Sequence, residues 1–177
     1  TFLNSKIHNL KLRMENMKCE DSVNFIKTIG NVEEMKIKNS KYDGVDADFS
    51  EINFKDVDIK NSGNDCLDFS YGNYKIHNTL LVQCRDKAIS TGENSMLKVE
   101  KINISNSNIG IASKDSSKVF IDNAEMKDVT NCLSSYKKKQ EFWGGYIFSN
   151  KIECSNFFKF TEKDEYSEII INNSILK

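Results

Sequence analysis

A 22-residue repeat runs through the amino-acid sequence, and it constrains the fold more than any other feature of the chain. When the sequence is shifted against itself by one period, small residues align in one column and larger aliphatic residues in the next. The two columns are Gly44, Cys66, Ala88, Gly110 and Cys132, followed by Val45, Leu67, Ile89, Ile111 and Leu133, and upstream they begin with Ser22 and Val23. A fixed period of this length is typical of solenoids, in which each repeat stacks on its neighbours.

Within each repeat, apolar and polar residues alternate with a period of two, which indicates short strands with one buried face. A second pattern, clearest at Leu97, Val99, Ile102 and Ile104, places two such strands on either side of a corner. The polar pair at this corner often ends in Asn, as at Asn78. Asn tolerates the left-handed conformation, which we expect this corner to adopt. Each repeat therefore predicts three strands and three corners.

If these three-strand units stack so that each strand pairs with its equivalent in the next unit, the fold is all-β. The sequence therefore predicts a right-handed parallel β-helix of about seven to eight coils. Residues 1–177 are expected to form a single domain, and because the first residue is Thr we expect a module of a longer protein. A leucine-rich repeat is the alternative, because "FKDVDIKNS" and "VEKINISNS" approach its consensus. The strand alternation in the other half of each repeat favours the β-helix over the helix of a leucine-rich repeat.

The charge balance argues against two classes of partner. The chain has 25 Lys and Arg against 26 Asp and Glu, so no overall field attracts nucleic acid. No apolar run approaches the roughly 18 residues that a membrane-spanning helix needs, so membrane insertion is not expected. Any electrostatic function must come from local clusters of charge.

The five cysteines lack the spacing of a zinc site, and they are predicted to be small, unbridged core residues. Cys66 and Cys132 share a column three repeats apart, which corresponds to roughly 14 Å in a stack of strands. A disulfide tolerates no more than about 7 Å between Cα atoms, so these two cysteines are predicted not to be bridged.

Four segments, "DGVDADFS", "GNDCLDFS", "DKAISTGENS" and "IGIASKDSS", resemble the coils of bacterial right-handed parallel β-helix repeat proteins, which are similar in fold to pectate lyases. The resemblance covers almost the whole chain and implies the fold. Members of this superfamily include polysaccharide lyases, epimerases, hydrolases, adhesins and phage tailspikes, so the resemblance points to a polysaccharide partner. It favours the cell surface, the periplasm or secretion as the location.

A sharper motif concerns calcium. Calcium-dependent β-helix lyases that use a lysine base carry a D-D-G-x-D segment with a further Asp from the preceding coil. "NDCLD" resembles it with Asp65 and Asp68 in place, and Asp43 or Asp46 could supply the carboxylate from below. The resemblance therefore implies Ca²⁺ as a cofactor held by these four residues.

The residues themselves leave two interpretations of this acidic ladder open. Asp46 and Asp68 are expected to point outward, stacked one coil apart, and two charges at ~4.8 Å repel by roughly 3 kcal/mol at an effective dielectric of 20. The ladder thus requires a cation, a proton or a basic neighbour. Alternatively, the Asp and Asn side chains close corners by bonding backbone N–H groups, with Lys87 balancing their charge.

The same face is expected to carry groups for an acidic sugar chain. Lys114 is the candidate base, because removing a proton next to a uronate carboxylate needs a base as well as a cation. The candidate substrate-binding residues are Lys87, Tyr136, Lys137, Lys138 and Trp143. Trp143, the only Trp, either stacks on a sugar or covers an edge of the core.

Two functions follow from these expectations. The first is a domain that binds or modifies an acidic polysaccharide, in the manner of a calcium-dependent lyase or epimerase. The second is a non-catalytic scaffold, such as an adhesin or tailspike segment, which could form homo-oligomers or join flanking domains. A bound Ca²⁺ between Asp46 and Asp68 would favour the first.

Overall fold

The computed structural model describes all 177 residues and forms a parallel β-solenoid of about eight coils, with no helix. No helix therefore has the length and apolar character needed to cross a membrane. Every strand pair is parallel, which confirms the predicted parallel β-helix, and the strands in the remainder of each coil, where a leucine-rich repeat has a helix, rule out that alternative. The strands are β1 (Phe2–Leu3), β2 (Lys6–Met17), β3 (Asp21–Ile26), β4 (Ile29–Ser40), β5 (Asp43–Asp48), β6 (Glu51–Ser62), β7 (Leu67–Ser70), β8 (Asn73–Cys84), β9 (Lys87–Gly92), β10 (Met96–Lys114), β11 (Lys118–Tyr136), β12 (Tyr146–Lys163) and β13 (Glu168–Leu176).

Three faces run along the rod. Face A is the outward surface of β3, β5, β7 and β9 and of segments 109–114, 131–136 and 159–163, which continue the same stack in β10, β11 and β12. The other two faces are formed by β2, β4, β6, β8 and the first parts of the later strands, each of which bends once. The turn that follows each strand of face A is called corner AB here, and it includes Phe49, Tyr71, Glu93 and Asp115.

The core is made of inward-facing columns, as the repeat predicted. Ile89 pairs with Leu67 below it and with Ile111 above it, and all three side chains are completely buried. The 22-residue register holds where Val45 pairs with Leu67 and where Asp46 pairs with Asp68. The inward and outward faces of these strands were therefore predicted correctly.

The predicted position of the left-handed corner is right at Asn9 but wrong in the later coils. Asn78 and Asn123 have no positive φ, because the chain bends there within continuous strands that stay paired above and below. Most left-handed residues lie at the two corners that border face A: at corner AB, and at the corner that precedes face A, where Asn16, Asn39 and Asn61 stack. The side-chain amides of Asn39 and Asn61 each donate to the Asn one coil below at 2.9 Å.

The prediction that all five cysteines are unbridged is also wrong. Cys66 is bonded to Cys84 and Cys132 to Cys154, and all four residues are completely buried. The last strand of each coil ends beside the start of a face A strand, so residues 18 and 22 positions apart meet across one corner. Cys66 and Cys132 are not bridged to each other, as predicted, and Cys19 is free and exposed.

An insertion interrupts the repeat between face A and β12. Residues paired between β11 and β12 differ by 28 positions instead of 22, as Asp122 and Asn150 do. The additional residues form an irregular segment, 137–145, called the strap here. Because it leaves the stack at corner AB, the strap borders face A.

Candidate functional site on face A

The predicted acidic ladder exists, and it occupies two outward columns of face A. Asp43 belongs to the first column with Asp65 above it, and Asp46 belongs to the second with Asp68 directly above it. A third column contributes Asp48. Alternation within β5 and β7 places Asp46, Asp48 and Asp68 outside the core, and the 22-residue register stacks Asp68 on Asp46.

The first column serves the structure. The carboxylate of Asp43 accepts hydrogen bonds from the Asn64 amide and from the backbone N–H of Asp65, both at 2.7 Å. Asp65 in turn accepts the backbone N–H of Lys87 at 2.9 Å, and its carboxylate lies 3.4 Å from the Lys87 ammonium. For Asp43 and Asp65, the corner-closing interpretation is therefore the one that the geometry favours.

The carboxylates of the second column accept no hydrogen bond from the backbone, unlike those of the first column. Asp46 accepts one hydrogen bond, from the Asn24 amide at 3.2 Å. Asp68 Oδ1 is buried with no hydrogen-bond partner. These two carboxylates keep acceptor capacity that the fold does not use.

Burial and mutual repulsion raise the pKa values of several carboxylates in the ladder. Burial, with smaller contributions from the charges of Asp48, Asp21 and Asp68, raises the pKa of Asp46 to about 8. Burial also raises the pKa of Asp65 to about 6, although Lys87 opposes the shift. The pKa of Asp43 and that of Asp48 are raised as well, mainly by burial. Asp46 therefore holds its proton near neutral pH, which relieves part of the repulsion.

Two lysines from higher coils supply the basic neighbours. Lys114 reaches down over Gly92, and its ammonium nitrogen lies 3.9 Å from Asp68 Oδ1, with only 7% of its side chain exposed. Lys87 is also mostly buried and pairs with Asp65 and Asp86. Burial alone would lower the pKa of Lys87, but these two carboxylates raise it above the ordinary value. Tyr136 lies directly above Lys114 in the register.

This arrangement bears on the predicted role of Lys114 as a base. A side chain that is buried against a carboxylate must leave Asp68 before it can take a proton from a substrate. The geometry therefore favours charge compensation of Asp68 as its resting role, and the role as base stays a prediction. Above Asp68, the column continues with Ser90, Ala112 and Ser134, and the hydroxyls of both serines are buried with no hydrogen-bond partner.

No three of the four ladder carboxylates converge as the ligands of one metal ion do, and Ca²⁺ as a cofactor stays a prediction. No group of three or more His, Cys, Asp or Glu side chains is placed to hold a metal ion. Two of the four predicted ligands, Asp43 and Asp65, are occupied by backbone N–H groups, as described above. In both of these residues the bonded atom is Oδ1, so one carboxylate oxygen of each stays free, as do oxygens of Asp46 and Asp68, and Ca²⁺ needs six to eight oxygen ligands.

The strap brings the remaining predicted residues to the edge of face A. Trp143 does not cover the core, since it is 70% exposed, and its ring lies 5.9 Å from that of Tyr166. The Lys137 ammonium lies 5.9 Å from the Trp143 ring and 5.3 Å from the Tyr166 ring. Lys138 contributes its backbone N–H to the buried Asp115 carboxylate, so its side chain stays on the outside of the strap.

Several residues of this surface were not identified from the sequence. Glu93 is buried, accepts a hydrogen bond from Ser70 at 2.7 Å, and pairs with Lys139 at 2.6 Å. Burial would raise the pKa of Glu93, but these two partners hold it below its ordinary value. Phe49 and Tyr71 were also missed, although they are one period apart and each follows the last outward residue of a face A strand.

One concavity, of about 630 Å³, lies at the last coil between residues 159–163 and the side chains of Ile169 and Ile171. Two others lie on the other faces. One of about 430 Å³ is lined by residues including Lys11, Glu34, Asp58 and Thr79, and one of about 540 Å³ by residues including Ile29, Asn53 and Met96. Neither includes a residue of the acidic ladder. The candidate site on face A is therefore a half-buried surface at Asp46, Asp48 and Asp68, and the strap borders it.

The comparisons with known proteins found no counterpart: no protein-family model, no curated protein and no solved structure matches the chain.

Proposed function

We propose that this protein binds an acidic polysaccharide on face A, as a β-helix module of the pectate-lyase-like type. The observation that carries the proposal is the acceptor capacity left unused in the second column of face A, at Asp46 and Asp68, beside the ammonium of Lys114. Sugar hydroxyls donate to carboxylates and accept from ammonium groups, and a uronate carboxylate pairs with lysine. A surface that offers both kinds of group suits a chain of hydroxylated, negatively charged sugars.

The two buried disulfides support a location in which the protein would meet such a polysaccharide. Disulfides persist in oxidising surroundings such as the periplasm and the cell exterior. Structural and capsular polysaccharides are found in these places. A disulfide-bonded module at the cell surface or in a secreted protein would therefore encounter its proposed partner.

Catalysis is a second candidate function, and the protonated state of Asp46 favours it. A carboxylic acid whose pKa is about 8 can donate a proton to the leaving oxygen of a glycosidic bond at neutral pH. The neighbouring Asp68 carboxylate could stabilise the positive charge that develops on the sugar. In a lyase reaction, Lys114 would instead act as the base after release from Asp68.

Titration with polygalacturonate, alginate and neutral dextran, with and without Ca²⁺, tests the proposal. We expect the two acidic polymers to bind and dextran to bind weakly or not at all. The double variant Asp46→Asn with Asp68→Asn should lose binding while its circular dichroism spectrum is unchanged. Asp122→Asn is the matched control, because Asp122 also accepts one amide hydrogen bond, from Asn150, but is far along the sequence on another face.

The same titration separates the candidates. Ultraviolet absorbance from unsaturated products would identify a lyase, and new reducing ends without it would identify a hydrolase. Stronger binding or a higher melting temperature with Ca²⁺ would support the predicted cofactor. A protein that binds neither acidic polymer would disprove the proposal and leave the scaffold function.

A further inference from the structure

We infer that corner AB is a track of aromatic rings along which an acidic polysaccharide lies lengthwise, parallel to the axis of the rod. The inference rests on the proposed function and extends it from face A to the neighbouring corner. The rings are those of Phe49, Tyr71, Phe142, Trp143 and Tyr166.

The lower part of the track is a pair of stacked rings. Phe49 and Tyr71 occupy equivalent positions in successive coils, and their rings are parallel, with centroids 4.6 Å apart and an angle of 4° between their planes. Both side chains remain exposed, so neither contributes to the core. Exposed apolar rings that are aligned in this way are characteristic of binding surfaces.

The strap fills a gap in the track. In the next two coils, corner AB carries Glu93 and Asp115 in place of aromatic residues. The strap returns along the rod and places Phe142 6.3 Å from Tyr71. It then places Trp143 5.9 Å from Tyr166, which lies at corner AB of the last coil. The rings thus extend from the coil of Phe49 to that of Tyr166, five coil steps or about 24 Å.

Three sets of contacts hold the strap against the corner. The buried Asp115 carboxylate accepts the backbone N–H groups of Lys138 and Lys139, each at 2.7 Å. Ser116 donates its N–H to the Trp143 carbonyl and accepts the Trp143 N–H, both at 2.9 Å. The Lys139 side chain pairs with Glu93. The rings are therefore preorganised, which lowers the entropy cost of binding.

The positively charged lysines of the strap favour a ligand that carries carboxylate groups. The Lys137 ammonium lies beside both the Trp143 and the Tyr166 ring, and Lys138 follows it on the exposed strap. Aromatic rings pack against the apolar C–H faces of pyranose sugars, and an ammonium beside them pairs with a carboxylate on the same sugar. This combination fits a uronate-containing chain several sugars long.

The single tryptophan makes the track directly testable. Trp143 is the only Trp, so its fluorescence reports occupancy of the upper track. We expect oligogalacturonate of eight units to change the emission of Trp143 and to protect it from iodide quenching. Trp143→Ala and Tyr71→Asn should each weaken binding of the octamer by roughly 3- to 10-fold, whereas a dimer should bind the variants and the parent with similar affinity.

Phe158→Ala serves as the matched control, because Phe158 is 78% exposed but lies outside corner AB. Asn is chosen at Tyr71 because it tolerates the positive φ of that position. If the octamer binds the Trp143 and Tyr71 variants as tightly as the Phe158 variant, the track is disproved. If the Asp46→Asn with Asp68→Asn variant nevertheless loses binding, the proposed function stands without the track. Failure of the octamer to bind the parent protein disproves both.

Discussion

The ammonium of Lys114 lies 3.9 Å from the Asp68 carboxylate although a whole strand, β9, separates the strands that carry them. The contact is possible because Gly92, the residue of β9 in between, has no side chain. A Cβ added there would lie 2.8 Å from Lys114 Cε. The pairing of charges on face A therefore depends on one glycine.

Replacing Gly92 with Ala should separate Lys114 from Asp68. The flexible end of Lys114 can move, so we expect a stability change within about 1 kcal/mol, while the amine becomes accessible. Acetylation with a water-soluble reagent, followed by peptide mass mapping, should label Lys114 faster in the variant than in the parent. The exposed Lys98 is the internal control. Equal labelling of Lys114 in both proteins would contradict the role of Gly92.

The acidity of Asp46 predicts a pH dependence of stability. The pKa of Asp46 rises from 3.8 to about 8 on folding, so the folded protein keeps a proton that the unfolded chain releases. The resulting stabilisation is complete below pH 3.8 and is lost as the pH rises to about 8. Asp46→Asn should therefore gain stability over the parent with rising pH, by on the order of 2 kcal/mol at pH 8 after allowance for solvent screening.

Denaturant unfolding between pH 4 and pH 9 measures this effect. Asp122→Asn, which replaces an exposed carboxylate with a similar hydrogen bond, should show no such trend. A stability difference between Asp46→Asn and the parent that is the same at both ends of the range would show that Asp46 titrates normally.

The two disulfides should each stabilise the fold substantially. They close loops with sequence separations of 18 and 22 residues, for which the loss of unfolded-chain entropy is worth about 3 kcal/mol each. Replacing Cys66 and Cys84 together with Ala should therefore lower the melting temperature markedly, whereas Cys19→Ser should not. Mass mapping without reduction should find Cys66 with Cys84 and Cys132 with Cys154. Any other pairing would contradict the stack of coils.

Ile89 tests the core register. Ile89→Asp would bury an unpaired charge between Leu67 and Ile111, and we expect several kcal/mol of lost stability or an insoluble product. Lys98→Asp, at an exposed outward position, is the control and should fold normally. A soluble Ile89 variant that melts within a degree or two of the parent would be incompatible with a buried column.

Much of the fold could be predicted from the repeat because its cause is local. Alternation places Val45 inside and Asp46 outside whatever lies above them, and a constant 22-residue period stacks each residue on its equivalent. The core columns and the Asp46 and Asp68 stack follow from these two rules. The positions of the left-handed residues did not follow from these rules, because Asn occurs at two corners of each coil. Only the pairing between coils distinguishes these two corners.

The candidate site depended on contacts that do not follow the period. The Cys66 and Cys84 bridge joins two different columns, and Lys114 crosses a coil to reach Asp68 because Gly92 leaves space. The strap returns along the rod to place Phe142 next to Tyr71, which no 22-residue column relates. A repeat encodes which residues stack, since stacking depends only on register. Contacts between columns depend on the closure of each coil in three dimensions, so only the tertiary structure decides them.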